Sequence, residues 1–88
     1  MKPKLTINGD GDKEWVLPNS SLHREDSPAV EFSNGSKQWW INGYLHREDG
    51  PAVERSDGYR AWYMNNVNYT ERQYKYEMRS RKLTELLK

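Results

Sequence analysis

The chain contains a sequence repeat of 23 residues, and this repeat limits the folds that it can adopt. Residues 23–31 (HREDSPAVE) recur as residues 46–54 (HREDGPAVE), and eleven of eighteen positions are identical between residues 23–40 and residues 46–63. Unrelated segments of this length would share about one identity. Repeated units normally stack on their neighbours. We therefore expect residues 1–88 to form a single domain of two full units with a partial unit at each end.

Each unit has the pattern of a β-hairpin. A short strand containing Ala-Val-Glu precedes Asn-Gly or Asp-Gly, the strongest local signal of a tight hairpin turn. An aromatic strand follows, and a second turn at Asn42-Gly43 leads into the next His-Arg-Glu-Asp segment. Pro51 cannot donate a ladder hydrogen bond, so it belongs at a strand start or a sheet edge. The pattern predicts a mainly β (α+β) fold, an antiparallel β-hairpin repeat meander over about residues 10–69.

Strand alternation assigns the aromatic residues to two faces, because successive side chains of a strand point in opposite directions. We take the face that carries the first Trp of each unit as the core. Its members are Trp15, Leu17, Trp39, Ile41, Trp62 and Met64. The opposite face carries Val16, Trp40 and Tyr63. Aromatic side chains on a sheet are costly to leave in water, so we expect a further element or a partner to cover Trp40 and Tyr63.

The C-terminal segment has the pattern of one helix. Thr70 and Gln73 fit a capping box, and no Pro or Gly follows them. We predict a helix over about residues 71–87, with an apolar stripe that packs either on the sheet or on a partner. The stripe consists of Tyr76, Arg79/Ser80, Leu83 and Leu86/Leu87, with Tyr74 and Met78 beside it.

Composition and charge narrow the setting of the chain. There is no cysteine, so disulfides and Cys-bound zinc are excluded. No apolar run is long enough to cross a bilayer, and residues 1–5 do not begin a signal peptide, which favours a cytoplasmic location and no membrane partner. The net charge is +1, but residues 70–88 hold six bases against three acids. This basic segment is typical of a solvated helix face and also of nucleic-acid binding.

The His-Arg-Glu-Asp segment is the one part of the chain that resembles a catalytic or metal site. It occurs twice, whereas an active site is normally built once, and it lies in a turn bounded by Pro, where Asp and Glu commonly accept backbone hydrogen bonds. We therefore expect His23 and His46 to have structural roles, with a metal site shared between them as the less favoured alternative. We expect no enzyme activity, no metal and no cofactor.

The order Asp-Gly, Trp-Tyr, Asn-Gly and Leu-His-Arg-Glu-Asp-Gly-Pro-Ala resembles the MORN-like repeats of many small phage and giant-virus proteins. The resemblance covers about residues 10–76 and includes the segment that begins at Thr70. It implies a β-hairpin array that contacts other macromolecules. A phage origin would make the protein an inhibitor or adaptor that acts on a host or anti-phage defence protein in the host cytoplasm. That step is an analogy.

Three functions are compatible with these patterns. The first is protein binding through an aromatic and Arg-rich sheet face, because Trp, Tyr and Arg are the usual hot-spot residues of interfaces. The predicted face consists of Trp40, Tyr63, Tyr44, Tyr59, Arg47 and Arg60. The second is nucleic-acid binding, in which aromatic residues stack on bases and Arg contacts phosphates. The third is self-association through the edges of an open sheet.

Overall fold

The fold is described from a computed structural model that covers residues 2–86, and side-chain environments are described for residues 2–84. Nine strands and one helix follow one another along the chain. The strands are β1 (Lys4–Ile7), β2 (Lys13–Val16), β3 (Val30–Glu31), β4 (Lys37–Gln38), β5 (Trp40–Ile41), β6 (Tyr44–Leu45), β7 (Val53–Glu54), β8 (Arg60–Met64) and β9 (Val67–Tyr69), and the helix is α1 (Glu71–Leu86).

A seven-stranded sheet with the order β1-β2-β3-β4-β7-β8-β9 contains three equivalent hairpins, β1–β2, β3–β4 and β7–β8. Every pairing is antiparallel. The register is the same in the three hairpins, with matching pairs Thr6 and Glu14, Val30 and Gln38, and Val53 and Ala61. The predicted fold class, an antiparallel hairpin meander with one C-terminal helix, is thus confirmed. Strand β1 lies before the boundary near residue 10 that the repeat suggested.

Each sheet hairpin is followed by a second antiparallel pairing that carries the next turn. The matching pairs of this second hairpin are Val16 and Leu22, Trp40 and Leu45, and Tyr63 and Asn68. The turn at Asn42 (φ 49°) and Gly43 (φ 81°) has both residues in the left-handed region, as a type I′ turn requires. The first unit has an extra residue in this loop, so its turn closes through Ser20 (φ 72°) instead.

The interior of this sheet is thin. The buried apolar residues are Ala29, Val30, Ala52, Ala61, Met64 and Tyr74. The molecule measures 47 × 33 × 17 Å, and its radius of gyration is 14.2 Å, against about 12 Å for a compact domain of this length. Of the face that we expected to be the core, Met64 is buried, whereas the three Trp side chains are only partly buried. The expectation is therefore wrong for the Trp residues, because a single sheet layer encloses little volume.

The helix begins at the predicted capping box. The Thr70 N–H donates to Gln73 Oε1 at 3.0 Å, and the Gln73 N–H donates to Thr70 Oγ1 at 3.1 Å. The helix contacts β8 and β9, and Tyr74 in its first turn is buried.

The predicted apolar stripe of this helix does not pack on the sheet. The exposed fraction of Tyr76 is 72% and that of Leu83 is 56%. Arg79 and Ser80 are exposed as well, and Leu86 and Leu87 lie outside the residues whose side chains the structure describes. Within the described residues, no helix is long and apolar enough to cross a membrane.

Candidate functional site

Two His-Arg-Glu-Asp loops, the first loop (residues 23–28) and the second loop (residues 46–51), project from one side of the sheet. In each loop the histidine binds the tight turn of the following hairpin. His23 Nδ1 accepts the Asn42 N–H at 2.9 Å, and His46 Nδ1 accepts the Asn65 N–H at 3.1 Å. An Nδ1 that accepts a hydrogen bond places the ring proton on Nε2. In the second loop that nitrogen donates to Glu48 Oε2 at 3.0 Å. Both rings therefore connect their loop to the hairpin turn that follows it.

The arginine of each loop covers the Trp of the preceding strand. The Arg24 guanidinium lies 3.7 Å from the centre of the Trp15 ring, and Arg47 lies 3.7 Å from that of Trp39. This is the geometry of a cation–π contact. The two guanidinium groups also have equivalent hydrogen-bond partners. Arg24 donates to Pro28 O and Glu31 Oε2, both at 3.3 Å, and Arg47 donates to Pro51 O and Glu54 Oε2, both at 3.0 Å.

A groove of about 660 Å³ separates the two loops. Trp39 and Ile41 form its floor, residues 24–28 form one wall and residues 46–49 form the other. The floor is aromatic and aliphatic, and beside it each arginine is hydrogen-bonded to a backbone carbonyl and to a glutamate. The site is therefore a preformed concave surface with an apolar base, the usual form of a recognition pocket.

Carboxylates rim this groove. The exposed fractions of the Glu25, Glu48 and Asp49 side chains are 78%, 68% and 86%. Arg47 Nε donates to Asp49 Oδ1 at 2.9 Å, but this arginine is already paired with Glu54. The rim thus carries more negative than positive charge. Within the described residues, no three His, Cys, Asp or Glu side chains are grouped so that they could hold a metal ion.

The second loop also binds the C-terminal helix through Tyr74. The Tyr74 hydroxyl donates to the carbonyl oxygen of Arg47 and accepts the Gly50 N–H at 3.3 Å. Burial against the loop raises the pKa of this phenol, and the hydrogen bond from Gly50 partly opposes the rise. The Tyr74 side chain is only 5% exposed, so the helix is attached to the array at this point.

The six predicted site residues do not share one face. Ile41 lies directly opposite Tyr44 in the β5–β6 pair, so Tyr44 (52% exposed) is on the face of Ile41 and not on that of Trp40. Arg47 stacks on Trp39 and lines the groove, on that same face.

Arg60 and Tyr59 also fall on different sides of the sheet. Arg60 is opposite Glu54, the partner of Arg47, and is exposed. Tyr59 is 54% exposed, and Arg55 lies 5.3 Å from its ring centre. Alternation places Tyr59 on the face of Tyr63. The predicted residues therefore divide into a group near the groove, Tyr44, Arg47 and Arg60, and a group on the other face, Trp40, Tyr63 and Tyr59.

The second group gives a less open surface than expected. Trp40 and Tyr63 are both partly buried, and Trp40 Nε1 donates to Gln38 Oε1 at 2.9 Å. The groove residues that sequence reasoning did not select are Trp39, Ile41, Arg24 and the rim carboxylates. One signal could have identified them: an Arg (Arg24, Arg47) and a Trp (Trp15, Trp39) recur at fixed positions, with a spacing that allows the Arg of one loop to rest on the Trp that precedes it.

Comparisons of the chain with known protein families, with curated proteins and with solved structures find no match.

Proposed function

We propose that this protein is a non-enzymatic protein-binding module, an inhibitor or adaptor that engages its partner through the groove between the two loops. One observation carries the proposal: the groove has a formed floor of Trp39 and Ile41 and is open to solvent. Forming such a site costs no further ordering when a partner binds, because His23 and Arg47 already hold its walls.

The chemistry of the loops also supports binding over catalysis. A general base needs an available nitrogen or oxygen within reach of a substrate. The Nδ1 atoms of His23 and His46 each accept a backbone N–H, and the Arg24 and Arg47 guanidinium groups each contact a carbonyl and a carboxylate. The polar side chains that resemble an active site are thus committed to holding the loops in place.

The rim charge indicates the chemistry of the partner. Carboxylates at Glu25, Glu48 and Asp49 favour a surface that presents Lys or Arg, and complementary charge increases both specificity and the rate of association. The resemblance to MORN-like phage proteins makes a host or defence protein of a bacterium the first class of partner to test.

Affinity capture tests this proposal. The tagged protein is incubated with nuclease-treated bacterial lysate, and bound proteins are identified by mass spectrometry. We expect one dominant protein to be captured by the wild type and lost with Ile41→Arg, which fills the floor of the groove. The control is Tyr59→Arg, which adds the same charge at a 54% exposed position on the other face of the sheet. If the wild type and both variants captured the same proteins in equal amounts, binding through the groove would be contradicted.

The exposed helix supports a second candidate function, nucleic-acid binding. Arg72, Lys75, Arg79, Arg81 and Lys82 are all exposed on α1, and Tyr76 is 72% exposed. A shallow pocket of about 520 Å³ lies between β9 and this helix and is lined by Tyr69, Arg72 and Tyr76 among others. An aromatic side chain that is surrounded by Lys and Arg can stack on a nucleobase while those basic side chains contact the phosphates.

Two features make this candidate weaker than protein binding. Glu71 lies 3.2 Å from Lys75 and Glu77 lies 3.8 Å from Arg81, so two of the five bases have an acidic partner. The acidic loops would also repel phosphate. A titration of single-stranded oligonucleotide at several salt concentrations decides the matter, since binding through phosphates must weaken steeply as salt rises. Binding without a salt dependence, or no binding, would exclude this function.

A further inference from the structure

We infer that the groove is a receptor for a tyrosine side chain that a partner protein presents beside basic residues on the first turn of a helix. This inference rests on the proposed function. Its basis is a comparison within the chain: one repeat later, the position equivalent to the groove already holds a tyrosine.

The sequence repeat gives the groove a counterpart 23 positions further along the chain, and the two can be matched residue by residue. A shift of 23 positions converts Trp39 and Ile41 of the floor into Trp62 and Met64, and it converts residues 24–28 of the wall into residues 47–51. The counterpart thus lies between the second loop and the start of α1, on strand β8. Helix α1 contacts β8 and β9 at this place.

Tyr74 occupies the counterpart. Its hydroxyl is bound by Arg47 O and by the Gly50 N–H, and its side chain is 5% exposed. Met64 of that floor is only 1% exposed, whereas Ile41, the matching residue in the open groove, is partly exposed. In the counterpart, a bound phenol thus accompanies a buried floor. The open groove has the matching floor residues Trp39 and Ile41 without a phenol, and the Arg47 guanidinium lies over one face of Trp39 where the counterpart has Thr70.

The hydrogen-bonding groups for a phenol are present in the open groove. The positions that match Arg47 O and Gly50 N are Arg24 O and Ser27 N. Within residues 2–86, neither of these two backbone groups has a hydrogen-bond partner. A tyrosine hydroxyl can donate to the first and accept from the second, as Tyr74 does. A phenylalanine would fill the space but would leave both groups without a protein partner.

The two loops differ at one position, and the difference has a physical cause. A Cβ atom at Gly50 would lie 3.0 Å from Arg47 Cζ, so a larger residue there would require the Arg47 guanidinium to shift by a few tenths of an ångström. The first loop has Ser27 at this position, and its Asp26 has a φ of 66°. Replacing Ser27 with Gly should therefore bring the first loop closer to the geometry that binds Tyr74.

The charge of the rim selects the neighbours of the tyrosine. In this chain Tyr74 is flanked by Arg72 and Lys75, and it lies beside the carboxylates of Glu48 and Asp49. The matching carboxylates of the open groove are Glu25 and Asp26. Basic residues beside the tyrosine would be attracted to them. A phosphate on the tyrosine would add up to two negative charges against the same rim and would be repelled.

A titration with a defined peptide tests this inference. The probe is an N-acetylated, C-amidated peptide of residues 69–82, added to the full-length ¹⁵N-labelled protein. We expect the Ser27 amide and the Trp39 indole N–H to shift. Replacing the peptide's Tyr74 with Phe should weaken binding about tenfold, because both hydrogen bonds of the hydroxyl are lost, and phosphorylating it should abolish binding. Replacing the peptide's Tyr76 with Phe is the matched control and should change nothing.

Variants of the protein sharpen the test. Ser27→Gly should move the titration midpoint to lower peptide concentration, and Ile41→Arg should remove the shifts while Tyr59→Arg, on the other face of the sheet, retains them. Three results would each overturn the inference: shifts confined to the second loop and α1, equal binding of the Tyr and Phe peptides, or no shift at Ser27 and Trp39 up to about 1 mM peptide.

The outcomes separate the groove chemistry from the proposed function. If a partner is captured equally by the wild type and by Ile41→Arg, the groove inference is wrong and protein binding through another surface stands. If the peptide binds the groove as described but no protein is captured, the recognition chemistry stands and the proposed function fails.

Discussion

The Tyr74 hydroxyl donates a hydrogen bond to the carbonyl oxygen of Arg47, and the guanidinium of that same Arg47 lies on the Trp39 ring. Helix, loop and sheet are thereby joined through one arginine. Since the sheet is a single layer with few buried residues, such point contacts contribute a large share of the stability of a small domain. Changes at Tyr74 and Arg47 should therefore affect parts of the chain that are distant in sequence.

Replacing Tyr74 with Phe removes the hydroxyl and keeps the ring. We expect the free energy of unfolding to fall by about 1–2 kcal/mol, because Arg47 O and Gly50 N lose their partner. Chemical denaturation followed by Trp fluorescence measures the change. Tyr76→Phe is the matched control, since Tyr76 is 72% exposed and should change stability by less than about 0.5 kcal/mol. Equal effects of the two substitutions would show that the Tyr74 hydroxyl does not hold the helix.

Alkaline pH should weaken the fold through the same residue. Burial raises the pKa of Tyr74 above its ordinary value of 10.0, so the unfolded chain loses this proton at lower pH than the folded chain. The stabilisation from the protonated phenol is complete below pH 10 and declines as the pH rises through the folded-state pKa. Unfolding measured from pH 8 to pH 11 should show a steeper decline for the wild type than for Tyr74→Phe. Parallel curves would exclude this linkage.

The two stacked arginines differ in the number of groups that they hold. Arg47→Ala should cost about 2–3 kcal/mol and Arg24→Ala about 1–2 kcal/mol, because Arg47 has shorter hydrogen bonds and an added contact with Asp49. Thermal denaturation of both variants, with exposed Arg79→Ala as the control, measures the order. A larger effect of Arg24→Ala would contradict the assignment of Arg47 as the joint between units.

A further pair of contacts ties neighbouring hairpin turns together. The Ser33 N–H donates to Asp12 Oδ1 at 2.8 Å, and one repeat later the Ser56 N–H donates to Ser36 Oγ at 2.9 Å. The hydrogen bond from Ser33, helped by the Asn8 amide, lowers the pKa of Asp12 below 3.8. The stability that this carboxylate contributes is therefore present above the unfolded-state pKa and is lost as the pH falls through the folded-state pKa.

Acid denaturation should distinguish the hydrogen bond to Asp12 from the hydrogen bond to Ser36. We expect Asp12→Ala to flatten the decline of stability below pH 4, whereas Ser36→Ala should lower stability by a similar amount at every pH, since a hydroxyl does not titrate in this range. Unfolding midpoints measured between pH 2 and pH 6 make the comparison. An acid decline that is unchanged in Asp12→Ala would mean that other carboxylates control it.

Sequence patterns predicted the turns and the helix start correctly because neighbouring residues alone determine these structures. The Asn42-Gly43 turn needs two left-handed residues, and the Thr70 capping box needs donors three residues apart, so adjacent sequence suffices for both. The two-residue turn also places Ile41 opposite Tyr44. That relationship was available from the turn length and would have separated Tyr44 from Trp40.

The contacts of Tyr74 could not be predicted in the same way. Nothing in the spacing of the helix distinguishes Tyr74, which is buried, from Tyr76, which is exposed. The distinction depends on where the second loop meets the first turn of α1, a long-range contact. Strand β1 was missed for a related reason: Leu5 and Ile7 stand before the clear repeat, and their pairing depends on the neighbouring Trp15 strand.

Each loop contacts the hairpins on both sides of it: Arg24 lies on Trp15, Arg47 lies on Trp39, and His23 and His46 bind the turns that follow them. A duplicated stretch of 23 residues inserted within the array would thus find these contacts already in place, and neither end would need to change. Tandem gene duplication could lengthen such a protein in steps, and each step would add one more groove of the same kind. The number of ligands that the molecule holds at once, its valency, would then follow directly from its length.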